Sequence, residues 1–110
     1  MNHGLTDETV ERIRGVLAGH PRVEKALLYG SRAKGTHRPG SDIDLTLQGG
    51  TLEHRDLAEI ATELDDLMMP YRIDLSLFAA LSHPDLLDHI RRVGIVLYAR
   101  DSSPQAAGSR

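Results

Sequence analysis

The sequence predicts an α/β (α+β) domain: a mixed sheet of three to four strands flanked by helices mainly on one face. Two observations carry this expectation. Apolar residues recur at helical spacing in three segments, 7–18, 52–68 and 84–93. Between them lie short strand-like runs, two of which alternate strictly. In 42–47, Asp42, Asp44 and Thr46 point one way and Ile43, Leu45 and Leu47 the other. In 71–77, Arg72, Asp74 and Ser76 oppose Tyr71, Ile73, Leu75 and Leu77. A sheet packed on both sides needs two apolar faces, so helices should cover one side and leave an open polar face carrying Asp42, Asp44 and Asp74.

A chain of 110 residues holds one such core without disulfide or metal staples, so a single domain is expected over 1–100. The polar segment 101–110, which has no large apolar side chain, reads as a disordered tail.

The elements follow in order. Thr6 suits an N-cap, with Asp7 and Glu8 where the helix dipole favours acids, and Leu5 and Val10 sit at the positions of a hydrophobic staple. Val10, Ile13, Val16 and Leu17 then share one helical face, and Gly19-His20-Pro21 ends the helix. Val23–Tyr29 is the first strand, stopped by Gly30. Ser31–Lys34 fits one helical turn, and Gly35–Gly40 is a loop. After the second strand, Gln48-Gly49-Gly50 turns the chain and Thr51 caps a helix that runs to about residue 68. Pro70 breaks the pattern before the third strand. Ser82 caps a last helix with Pro84 in its first turn and Leu86, Leu87, Ile90 and Val93 inward, and Ile95–Tyr98 closes the sheet.

Composition excludes several classes of function. A formal charge of −3 gives no basic excess for a nucleic-acid backbone, so direct nucleic-acid binding is not expected. The absence of cysteine rules out disulfides and thiolate metal sites. The N-terminus lacks the pattern of a signal peptide, and no apolar run approaches the length of a membrane span. A cytoplasmic protein without membrane contact is the expectation.

What remains is the stretch LLYGSRAKGTHRPGSDIDLTL, Leu27–Leu47. Residues two apart in a strand project from one face with Cα atoms about 6.5–7 Å apart. Asp42 and Asp44 can therefore converge on a hard cation, and Asp74 joins them if its strand lies alongside. Three carboxylates would repel, and Mg²⁺, which takes oxygen ligands and shares them with substrate phosphates, relieves that repulsion. The Gly30-Ser31 turn lets a phosphate approach the backbone closely and offers a hydroxyl, while Arg32 and Lys34 add positive charge. An isolated Asp-x-Asp is more often a solvated pair. Gly-Ser, ten residues, then Asp-x-Asp arises by chance in about one chain per thousand of this length.

Gly30-Ser31 followed by Asp42-Ile43-Asp44 resembles the signature of the nucleotidyltransferase superfamily that includes DNA polymerase β. The fuller GSRAKG…SDIDL string in so short a chain resembles its minimal nucleotidyltransferase (MNT) group. The resemblance spans roughly Leu5–Tyr98. It implies the nucleotidyltransferase fold, Mg²⁺ as cofactor and ATP as donor. By position, Gly30 and Ser31 would bind the triphosphate, with Arg32 and Lys34 beside it. Asp42, Asp44 and Asp74 would be the catalytic and metal-holding carboxylates, Asp74 also helping to activate an acceptor hydroxyl. The group often has Arg where Lys34 stands, which keeps the charge but gives up a bidentate phosphate contact.

A chain without a second domain resembles the antitoxin half of type VII-like HEPN–MNT toxin–antitoxin pairs, whose MNT members can transfer AMP to a tyrosine of a HEPN-type ribonuclease. The expected partner is therefore such a ribonuclease, in a hetero-oligomer, with a homo-oligomer also compatible. Two other readings stand beside this one: a non-catalytic module that neutralises the ribonuclease by contact, and a nucleotidyltransferase acting on a small molecule. His20, His54, His83 and His89 form no ligand spacing, and His37 and Arg38, between the motif halves, read as solvated loop, with contact to nucleotide or acceptor as the other reading.

Overall fold

The computed structural model describes residues 3–38 and 40–100, so the expected disordered tail at 101–110 lies outside the described residues. Helix α1 (Asp7–Ala18) starts where the sequence places it. The Thr6 side chain accepts a hydrogen bond from the Thr9 backbone N–H at 3.1 Å, and Gly19 caps the other end. Thr6→Ala should lower stability by about 1 kcal/mol, measurable by urea denaturation, because one N-terminal N–H loses its acceptor.

Four strands make one sheet in the order β3-β2-β1-β4: β1 (Lys25–Tyr29), β2 (Ile43–Gln48), β3 (Ile73–Leu77) and β4 (Ile95–Ala99). Strand β1 pairs antiparallel with both β2 and β4, and β2 pairs parallel with β3, so the sheet is mixed. A register shift between Ala26 and Leu27 interrupts the β1–β4 ladder. Between β1 and β2 lies the single turn α2 (Ser31–Lys34), whose C-cap Gly35 is left-handed at φ 79°.

The parallel β2–β3 pair requires a crossover, and α3 (His54–Asp65) provides it. In α3 two details differ from the sequence expectation. The α3 cap is Glu53, in a reciprocal box with Asp56, and Thr51 stays in the preceding turn. The helix also ends at Asp65, not near 68. Met68 takes a positive φ of 57° and is 86% exposed, because the chain must already be turning toward β3 there.

The core lies between the sheet and the pair α1 and α3. Val10, Ile13 and Leu17 of α1 and Ile60 and Leu64 of α3 meet Ala26, Leu28, Ile43, Leu45, Leu47 and Leu97 of the sheet in one buried cluster. The aliphatic face of the alternating strands is thus the face the two long helices cover.

The opposite face is less open than its polar residues suggest. A short 3₁₀ turn (Phe78–Ala80) follows β3, and α4 (Pro84–Val93), capped at His83 and not at Ser82, packs against β1. Leu87, Ile90 and Phe78 line a cavity of about 240 Å³ with Leu27, and Thr46 on this face is fully buried. No helix among the described residues is long and apolar enough to cross a membrane.

Candidate active site

On the polar face the candidate residues gather where β1 ends, beside α4. Tyr29 at the end of β1 pairs with Asp44 of β2, and Asp44 pairs with Asp74 of β3. Paired residues on neighbouring strands point to the same side, with strands about 4.8 Å apart. The sheet therefore brings Asp44 and Asp74 side by side, and Asp42, one residue ahead of β2, precedes Asp44 by two. Thr46 and Ser76 form the next pair in the same register.

Gly30 brings the turn to the carboxylates. Its backbone, at φ 77° and ψ −155°, lies in a region open essentially to glycine. A Cβ built on Gly30 would overlap the Asp44 carboxylate. The absence of a side chain thus lets Asp44 lie against the turn that Ser31 continues into α2. The turn is held by Lys34 N–H donating to the Gly30 carbonyl at 3.1 Å and Thr36 N–H to the Ser31 carbonyl at 2.9 Å. Ser31 is half-buried and Lys34 exposed.

The charges respond to this crowding. Burial pushes the Asp44 carboxyl above its ordinary range, and the negative charges of Asp74 and Asp42 push it further. Burial likewise raises the Tyr29 phenol; the neighbouring Ser76 hydroxyl opposes the shift, and Asp44 and Asp74 add to it. Ser76 Oγ itself is buried and reaches no partner at hydrogen-bond geometry.

Among the described residues no three His, Cys, Asp or Glu side chains, Asp42, Asp44 and Asp74 included, are grouped closely enough to hold a metal ion together. The type of donor, carboxylate oxygen, is the type a hard cation takes. Asp42, Asp44 and Asp74 offer oxygen ligands, and Asp44 feels the charge of both others.

Arg32 is used differently from Lys34. It is only 2% exposed. Its Nε and Nη2 donate to the Ser41 carbonyl at 3.2 and 2.9 Å, its Nη1 donates to the His3 carbonyl at 2.9 Å, and its guanidinium stacks 4.9 Å above the Tyr71 ring. These partners make it a buried clamp on the loop that enters β2, so its charge is engaged with the protein itself.

One residue joins the site without a signal in the sequence. His89 of α4 accepts the Gly30 N–H at Nε2, 3.0 Å away, and its ring meets Tyr29 edge-on with centroids 6.3 Å apart. It is 59 positions from Gly30, and neither spacing nor neighbours mark it out.

With this geometry in view, solved structures with the same fold can be compared. One is a toxin–antitoxin complex with AMP-PNP, 23% identical, with a TM-score of 0.67 over 87% of this chain and 77% of that chain. Another is the MntA–HepT toxin–antitoxin, 20% identical at a TM-score of 0.64, over 91% and 78% of the two chains. A third is a tri-AMPylated HEPN toxin from Shewanella oneidensis in complex with MNT antitoxin, 19% identical at a TM-score of 0.65, over 92% and 78%. At these identities the likeness establishes the nucleotidyltransferase fold. No curated protein sequence matches the chain significantly. The family model for polymerase β nucleotidyltransferases matches residues 11–103, nearly the full length, and the chain belongs to that family.

Proposed function

We propose that the protein transfers AMP from ATP to a hydroxyl, a tyrosine of a HEPN-type ribonuclease, and serves as the antitoxin of that pair. The observation that carries the reading is the convergence at Gly30: the phosphate turn and the Asp44 carboxylate touch, and Asp74 stands beside Asp44 in register. Family membership supports the reaction class. The structural neighbours, complexes of an MNT antitoxin with a HEPN toxin among them, support the partner and the acceptor.

In this reading Gly30 and Ser31 hold the triphosphate, with Lys34 adding positive charge at the far end of α2. Mg²⁺, held by Asp42, Asp44 and Asp74, would neutralise charge on the phosphates and favour the ionised acceptor. The acceptor oxygen bonds to the α-phosphorus, the bond from that phosphorus to the bridging oxygen breaks, and pyrophosphate departs. Asp74, exposed at the front of the sheet, takes the hydroxyl proton. The same polar face leaves Asp74 exposed to an acceptor brought in on another chain. A cytoplasmic setting, where ATP and Mg²⁺ are plentiful, suits this chemistry.

The test is to mix the protein with a helical HEPN-type ribonuclease, Mg²⁺ and α-labelled ATP. Label on a tyrosine of the ribonuclease, lost with Asp42→Asn plus Asp44→Asn, is the expected result. Loss of ribonuclease activity with no label transferred would replace this reading with neutralisation by contact.

A further inference from the structure

The C-terminal helix α4 contributes to the site through a residue that family membership does not assign. His89 is half-buried, and three features of the site surround it: the Gly30 N–H, the Tyr29 ring and the Asp44 carboxylate. The hydrogen bond from Gly30 requires an unprotonated Nε2, which assigns the ring proton to Nδ1. Gly30 needs such a partner. Its strained backbone sits at the end of β1, and its N–H would otherwise be an unsatisfied donor at the edge of a partly buried turn.

We propose that His89 is a positioning residue of the nucleotide site, fixing the Gly30 peptide from above so that the phosphate turn keeps the shape that receives ATP. The proposal rests on the nucleotidyltransferase reading and adds α4 to the machinery. The geometry favours positioning over plugging. The peptide that His89 holds is the one whose conformation sets the approach of Ser31 and of Asp44, and Tyr29 braces the imidazole edge-on. Removing the acceptor frees that peptide to rotate; removing a mere plug would improve binding.

Two variants separate the possibilities. His89→Phe keeps a ring against Tyr29 but removes the acceptor, and His89→Gln places an amide oxygen within reach of the Gly30 N–H. Binding of Mg·ATP is measured by titration calorimetry on the full chain, with Tm recorded for each variant. The Gly30 amide is followed by ¹⁵N-resolved NMR. The expected result is binding about tenfold weaker for His89→Phe, the scale of one lost hydrogen bond, with the Gly30 amide resonance displaced. His89→Gln should return to within about threefold of the unsubstituted protein, the scale of a retained but less well aligned bond. Unchanged or tighter binding by His89→Phe overturns the inference, as does a lowered Tm with unchanged affinity, or failure of glutamine to rescue. Absence of ATP binding by the unsubstituted protein overturns the nucleotidyltransferase reading, and this inference with it.

Discussion

Gly30→Ala should damage both stability and turnover. The residue occupies φ 77°, ψ −155°, where a side chain costs about 1–3 kcal/mol. For a domain of this size each kcal/mol lowers Tm by roughly 4–8 °C. The new methyl also meets the Asp44 carboxylate, which must move. Displacing a reacting group by about 1 Å can cost on the order of 10²-fold in rate. Gly40 supplies the control. It too has a positive φ, 84°, but a Cβ there meets nothing within 4 Å among the described residues. Gly40→Ala should therefore carry backbone strain alone and leave turnover near normal. Thermal denaturation and AMP transfer measured on both variants separate the strain from the displacement. Full activity in Gly30→Ala would remove the phosphate turn from the site.

If Asp44 holds Mg²⁺ as proposed, Asp44→Asn should abolish transfer, by about 10³-fold or more, since several kcal/mol of charge stabilisation is lost with the carboxylate. The same substitution should make the metal-free protein more stable at neutral pH. Burial and the charges of Asp74 and Asp42 raise this carboxyl in the folded state, so the fold binds its proton more tightly than the unfolded chain does. Folding is then unpenalised at pH below the unfolded value near 3.8. The penalty grows as pH rises through the window up to the raised folded value, and it is complete above that window. The gain from asparagine should follow the same course, absent in acid and full at neutrality. Mg²⁺ should raise the Tm of the unsubstituted protein and leave Asp44→Asn nearly unmoved. Denaturation curves at several pH values, with and without Mg²⁺, check each part. A less stable Asp44→Asn at neutral pH would mean that the carboxylate is a structural partner.

The contrast between what was legible and what was not follows the range of the interactions. The limits of α1 could be read from Thr6 and from the spacing of Val10, Ile13 and Leu17, because caps and helical faces are set within a few residues. That Asp44 and Asp74 each oppose an aliphatic face was equally visible, since alternation in a strand is local. Their adjacency was not. A period of two fixes the face of a strand but not its neighbour, and only the parallel β2–β3 ladder puts the two carboxylates in register. The same limit applies to α4: its apolar positions announced a helix, while its seat across β1 on the polar face depended on packing. The α3 cap was misread for another reason. Thr51 is the stronger capping type, yet the Glu53–Asp56 pair closes a box two residues later. The engagement of Arg32 with His3 and of His89 with Gly30 lay beyond any local pattern, since these partners are 29 and 59 positions away.

The buried Arg32 guanidinium has a mechanical consequence. It grips the carbonyl of Ser41, immediately before Asp42, stacks on Tyr71, three residues before Asp74, and holds the carbonyl of His3 near the start of the chain. One rigid planar group thus acts as a common pivot for the approaches to two carboxylates that lie on different strands. The segment around His3 and the approaches to Asp42 and Asp74 share a single buried anchor.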